Sequence, residues 1–127
     1  MDLNQLTESV IGAAIEVHRT LRPGLLESAY LACLCHELTL REIPFECERP
    51  LPIRHKGIDL DCGYKIDILV AGVVVLELKA VEKLHPVHDA QMLTYLRLGG
   101  WQFGLLMNFN VSVLKDGIRR KVLGLQE

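Results

Sequence analysis

No apolar run in this 127-residue chain approaches the ~20 residues that a helix needs to cross a bilayer. The opening residues, Asp2 and Asn4 among them, lack the basic and then apolar order of a secretion signal, so a cytoplasmic protein with no membrane partner is expected. There is no C-x-x-C pair. The four cysteines, Cys33, Cys35, Cys47 and Cys62, have no histidine at zinc-finger spacing, which argues against a structural metal site and for buried free thiols. There is no surplus of positive charge either. A net charge of −2 speaks against tight non-specific binding to a polyanion, because that affinity comes mostly from Lys and Arg neutralising phosphates. Any nucleic-acid contact has to be local. Two mixed stretches, Arg49 to Lys56 and Lys115 to Lys121, are candidate sources, although such runs are usually solvated faces. Repeats, low-complexity tracts and linkers are also missing, so the expectation is one compact domain.

What is present is globular composition, 50% hydrophobic and 24% charged, in a chain long enough to bury a core without staples. Leu3, Leu6, Val10, Ala14, Val17 and Leu21 recur at three and four, and Asp2 with Gln5 fits a variant capping box, which predicts an amphipathic helix over 3–21. Pro23-Gly24 breaks it. A second helical face, Tyr30, Leu34 and Leu38, follows and ends before Pro44. Two extended segments come next, Phe45 to Arg54 and Ile58 to Val70, with His55-Lys56-Gly57 as the turn between paired strands. Val73 to Leu78 is apolar at nearly every position, the pattern of a strand covered on both faces and central in its sheet. Pro86 suits the first turn of a helix to about Leu98, Gly99-Gly100 stops it, and Trp101 to Phe109 reads as a buried strand. A short tail, Ile118 to Leu125, follows the turn at Asp116-Gly117. The order predicts helices packed on a mixed sheet.

Residues two apart on a strand share a face, so Glu77 and Lys79 stand together roughly 7 Å apart at the Cα level. Taken alone, E-x-K is more often an exposed salt-bridging edge. Here it interrupts an interior strand, where a charge is costly unless it is paired or holds a metal. Asp67 is a second acid placed where the pattern wants an apolar residue. A two-residue Ala71-Gly72 loop would put Asp67 on the wrong face for Glu77, so we expect a three-residue loop with Gly72 left-handed, or a bulge. Two carboxylates and the Leu78 carbonyl make a hard oxygen set of the kind Mg²⁺ or Mn²⁺ prefers. Such a metal could generate a hydroxide nucleophile, while Lys79 stabilises the developing charge or orients the attacking water. Phosphodiester hydrolysis is the natural reaction class. Glu27, in the first turn of the second helix, is directed toward the core side, although an acid there also suits the helix dipole. His88, Gln91 and Tyr95 share one face of the later helix, a stripe that equally suits solvent.

The chain resembles the GxxExxY proteins, a group in the PD-(D/E)XK nuclease superfamily. The naming motif stands as Gly24-Leu25-Leu26-Glu27-Ser28-Ala29-Tyr30, and the likeness continues through Tyr64-Lys65-Ile66-Asp67, Glu77-Leu78-Lys79-Ala80, His88-Asp89-Ala90-Gln91 with Tyr95, and Leu105 to Phe109. It implies a single restriction-endonuclease-like α/β domain over 1–127, a mixed sheet flanked by helices. It implies Asp67 and Glu77 as metal ligands and Lys79 as the catalytic lysine. Gln91 and Tyr95 match the Q-x-x-x-Y element of the helicase-associated branch, on a helix that borders the active site, and Glu27 would be the helix-borne acid. Arg22 departs from the glycine expected before Pro-Gly, and Lys65 from the usual arginine. Members with an iron–sulfur cluster carry cysteines after the active site, and this chain has none beyond Cys62, so no cluster is expected. The expected function is a Mg²⁺-dependent nuclease acting on DNA or RNA. The rival is a catalytically silent module of the same fold, because a small near-neutral domain has little surface for gripping a duplex unless it dimerises or joins a larger complex. A third reading makes Asp67, Glu77 and Lys79 a buried salt-bridge network.

Overall fold

The computed structural model describes residues 1–124. Helix α1 spans Leu3–Leu21 and opens with the expected reciprocal cap, in which Asp2 accepts from the Gln5 N–H at 2.8 Å and the Gln5 side chain accepts from the Asp2 N–H at 2.9 Å. Helix α2 spans Glu27–Leu40 and buries Tyr30, Leu34 and Leu38, the face its spacing predicts. Helix α3 runs Pro86–Gly99 and ends on Gly100, whose φ of 77° is the left-handed conformation glycine adopts without a Cβ penalty.

Strands β1 (Phe45–Pro50), β4 (Lys65–Val70), β5 (Val74–Lys79), β6 (Phe103–Asn108) and β7 (Ile118–Val122) form a five-stranded sheet in the order β1-β4-β5-β6-β7. All neighbours are antiparallel except β5 and β6, which run parallel with α3 between them in the chain. The sheet is mixed and β5 is central, as the apolar run at 73–78 predicts. Every residue of β6 is buried.

The two long extended segments read from the sequence are each divided. The chain leaves the main sheet after Pro50 and forms a separate hairpin, β2 (Ile53–His55) with β3 (Ile58–Leu60), before returning at Lys65. Lys56 and Gly57 both have positive φ, the conformation of a two-residue hairpin turn. Leu51, buried, is the hinge point, and its N–H donates to the Tyr64 carbonyl at 2.8 Å. The tail continues as β7 only to Val122, and Leu125 lies outside the described residues.

Two cores lie on opposite sheet faces. Helices α1 and α2 cover one, burying Val10, Ala14, Val17, Tyr30 and Leu34 against Ile68, Leu76, Leu105 and Met107. Helix α3 covers the other, with Met92, Tyr95 and Leu96 over Leu69, Val75 and Leu106. The join between α1 and α2 is fixed by Tyr30. Its ring stacks on Phe109 at 4.7 Å, while its hydroxyl donates to the Arg22 carbonyl at 2.6 Å and accepts from the Leu25 N–H at 3.2 Å. That anchor holds Arg22 at φ 63° and ψ 173°, a region that glycine occupies freely and a β-carbon opposes. The glycine expected at this position therefore has a backbone reason. Arg22→Gly should relieve strain of about 1–3 kcal/mol against a smaller gain in unfolded-chain entropy. We expect a net stabilisation on the order of 1 kcal/mol, read as a higher urea midpoint at unchanged slope.

Candidate active site

Between β4 and β5 the chain turns through Ala71, Gly72 and Val73, with φ of 51° at Ala71 and 71° at Gly72 and a 3.0 Å bond from the Val73 N–H to the Val70 carbonyl. The register Val70↔Val74, Leu69↔Val75 and Ile68↔Leu76 follows. Asp67 and Glu77 accordingly share a face, as a three-residue loop requires. The second left-handed residue, Ala71, carries no glycine signal in the sequence.

The backbone ladder ends at Ile68↔Leu76. Where the next bonds would fall, the side chains take over: the Asp67 N–H donates to Glu77 Oε2 at 2.8 Å, and the Leu78 N–H donates to Asp67 Oδ2 at 2.7 Å. Each acid thus satisfies an amide that the parting strands leave open. Among the described residues, the other oxygens, Asp67 Oδ1 and Glu77 Oε1, accept no hydrogen bond from the protein.

Glu77 is 6% exposed. Burial, and then the neighbouring Asp67 carboxylate, push its carboxyl from the ordinary 4.5 up to about 8, against the opposing pull of the Asp67 N–H and of Lys79. Asp67 is raised too, by burial first, with the charges of Glu27 and Glu48 adding to it. The half-buried Lys79 follows Glu77 on the same face but forms no ion pair with either acid among the described residues. A buried salt-bridge network is therefore not what holds these groups.

Glu27 is exposed, not turned into the core as its helical spacing suggests. It sits at the rim, close enough for its charge to act on both Asp67 and Glu77. Tyr30, one turn later, positions it by pinning the preceding loop. On the opposite side Tyr95 is 7% exposed and Gln91 half-buried, so this part of the α3 stripe faces inward. Burial raises the Tyr95 hydroxyl, and the fields of Glu77 and Asp67 raise it further, which places Tyr95 beside the acid pair. His88 is occupied differently, since its Nδ1 accepts from the His85 N–H at 3.0 Å and caps the helix.

Two neighbours of the site escape a sequence reading. Glu48, on β1, lies across from Asp67 with a left-handed φ of 52°, and only the register reveals it. Asn108, 2% exposed at the end of β6, clamps the strap that follows Lys79: its Nδ2 donates to the Val81 carbonyl at 2.9 Å and its Oδ1 accepts from the Val81 N–H at 3.1 Å. One polar residue closing an all-apolar strand was the available signal. The cysteines correct another expectation, for Cys33 and Cys35 are only half-buried and Cys47 and Cys62 are exposed. The reason is that they ride on the outer turns of α2, on an edge strand and on a surface loop. Cys35 lies 3.0 Å from Cys47 through sulfur, and burial with that contact pushes its thiol up to about 12. Much of the charge in the basic stretches is spent locally, Arg49 on Glu46, Arg54 on Asp59, and Arg119 with Lys121 on Asp89.

A mixed sheet between helical layers, carrying an acid pair and a lysine where an antiparallel ladder opens, defines a nuclease-like α/β class. The family model for the PD-(D/E)XK nuclease superfamily matches residues 4–121, and the chain belongs to that superfamily. No curated protein and no solved structure matches. No helix among the described residues is long and apolar enough to cross a membrane.

Glu77 binds its proton more tightly in the folded chain than in the unfolded one, so stability is fullest below pH 4.5 as far as this group is concerned and is lost as pH rises toward about 8. In metal-free protein Glu77→Gln should flatten that slope and raise the unfolding free energy at alkaline pH by on the order of a few kcal/mol, measured by urea unfolding across the range. Lys79→Ala should change stability by less than about 1 kcal/mol, whereas breaking a buried ion pair would cost about 3–5 kcal/mol.

Proposed function

We propose that the protein is a divalent-metal-dependent nuclease that hydrolyses phosphodiester bonds of DNA or RNA, and that it belongs to the GxxExxY branch whose motif it carries. The observation that supports this most is the opening of the β4–β5 ladder, which brings two carboxylates to one point with Lys79 next on the same face. Nucleases of this superfamily generally use divalent metals.

The residues fit such an ion. Among the described residues Asp67 Oδ1 and Glu77 Oε1 have no protein donor, and the carboxyls repel each other in a largely buried setting that a cation would relieve. Leu78 can add its carbonyl. The Lys79 carbonyl is taken by the Phe109 N–H at 2.8 Å on the β6 side, so alternation along the strand turns the Leu78 carbonyl toward β4, where the ladder has ended. Three hard oxygens suit Mg²⁺ or Mn²⁺. When bound, an ion of this kind acidifies a water and offsets charge on a phosphoryl oxygen.

The remaining steps fall to the chain. Lys79 holds its ammonium beside the reacting phosphate and stabilises the negative charge that grows there, or orients the attacking water. Glu27, at the exposed rim, orients water at the open side. Tyr95 and Gln91 border the site from α3 and contact the substrate. The second reading, a silent nucleic-acid-binding or assembly module, draws on the acid surplus that Glu27 and Glu48 add and on the neutralised basic stretches.

The deciding experiment follows labelled single- and double-stranded DNA and RNA with Mg²⁺, Mn²⁺ or chelator, for wild type, Asp67→Ala and Lys79→Ala. We expect metal-dependent cutting that falls at least about 10²-fold in either variant. A folded wild type that neither cuts nor binds Mn²⁺ would instead establish the silent module.

A further inference from the structure

Beside the acid pair lies a cavity of about 230 Å³ lined by Ile53, Tyr64, Gln91, Thr94, Tyr95 and Leu98. Three elements build it. The β2 strand of the small hairpin contributes Ile53, the lead-in to β4 contributes Tyr64, and α3 contributes the other four. The rings of Tyr64 and Tyr95 meet at 6.2 Å with planes tilted by 59°, and Tyr64 is 46% exposed at the mouth while Tyr95 forms the wall. Its backbone is anchored, because the Tyr64 carbonyl accepts from the Leu51 N–H.

The lining states what fits. Among the described residues no charged side chain lines the cavity, which suits a neutral occupant and not the phosphate. Aromatic faces with the aliphatic walls of Ile53 and Leu98 favour a flat ring. The lining also includes side chains that carry polar groups, namely Gln91, Thr94 and the two tyrosines. Among the described residues none of these has a side-chain hydrogen bond within the protein. A planar group with donors and acceptors on its edge satisfies both demands, which is the chemistry of a nucleobase. Tyr64 stands three residues before Asp67, at most roughly 10 Å away along the extended chain, so that base belongs to a nucleotide near the phosphate held by the acid pair.

The geometry points to a nucleobase-binding slot, with Tyr64 as its stacking platform, that makes single-stranded or frayed nucleic acid the substrate of this site. This deepens and rests on the nuclease reading. A base paired inside a duplex reaches such a slot only after unstacking, which costs a few kcal/mol, whereas an unpaired base enters directly. The slot also answers how a chain of net charge −2 holds its substrate, by stacking in place of phosphate neutralisation.

The test measures binding by fluorescence anisotropy with Ca²⁺, a hard oxygen-seeking ion, and again with chelator. The probes are a short single-stranded DNA, its RNA counterpart, the matching duplex, and a series of the single strand with one abasic position each. Proteins are wild type, Tyr64→Ala and Tyr64→Phe, with Mn²⁺-dependent cutting followed in parallel. We expect wild type to bind single strand at least about ten-fold tighter than duplex, and Tyr64→Ala to lose about ten-fold on the intact strand, the worth of one stacked base. Tyr64→Phe should stay close to wild type. At one abasic position the Tyr64→Ala penalty should vanish. Equal affinity of wild type and Tyr64→Ala for every probe, equal affinity for duplex and single strand, or no binding at all would overturn the slot. Cutting by wild type that ignores Tyr64 would sink the slot and leave the nuclease, while Tyr64-dependent binding without cutting would keep the slot and sink the nuclease.

Discussion

The exchange of bonds where β4 and β5 separate is the constraint on which the rest depends. Two strands cannot diverge in a protein interior without leaving amides unpaired, and an unpaired buried amide costs about as much as a lost hydrogen bond. Here the Asp67 and Leu78 amides are taken by Glu77 and Asp67. One oxygen of each acid is thereby committed to structure, and the other accepts no hydrogen bond among the described residues. The same exchange fixes both carboxyls to the backbone, so their separation does not rely on side-chain rotamers alone. It comes at an electrostatic cost, since the buried Glu77 and the half-buried Asp67 sit together and Lys79 forms no ion pair with either among the described residues.

The surrounding fold keeps that opening in place from both sides. Tyr30 stacks on Phe109 and ties the loop before α2, which sets Glu27 at one rim. Asn108, immediately before Phe109 in the chain, grips Val81 and fixes the strap after Lys79. Adjacent residues at the end of β6 thus steady opposite ends of the site, one through an aromatic face and one through an amide. The parallel pairing of β5 with β6 transmits this, because Lys79 and Asn108 are register partners.

The sequence was most informative where a periodic pattern and a local signal agreed. The bounds of α1, the central place of β5 and the three-residue turn at 71–73 could be argued from spacing, capping residues and the need to put two acids on one face. What could not be read was non-local. At Leu51 the flanking Pro50 and Pro52, which cannot donate to a ladder, hint that the chain leaves the sheet, but nothing local says where it goes, since β2 and β3 look as extended as β1 and β4. The partial exposure of Cys33 and Cys35 and the exposure of Glu27 depend on how wide the buried face of α2 is: Tyr30, Leu34 and Leu38 name its centre, while the apolar residues beside them leave its margins open. Glu48 enters only through the register of β1, and Tyr64 through the fold of a hairpin onto α3. Acids set in an apolar strand were legible, while the groups that surround them were gathered by topology.

The outermost strands differ from the three between them. On β1 stand Glu46, Glu48, Arg49 and Pro50, and on β7 Arg119, Arg120 and Lys121, whereas β4, β5 and β6 are nearly all apolar beyond the site. An open sheet presents unpaired backbone groups along both margins, which invite a strand from another molecule. Charges spaced along each margin, with a proline that cannot donate, make such an added strand unfavourable. Residues that resemble a polyanion-binding signal in the linear sequence therefore end the sheet at five strands and oppose its growth into a fibre.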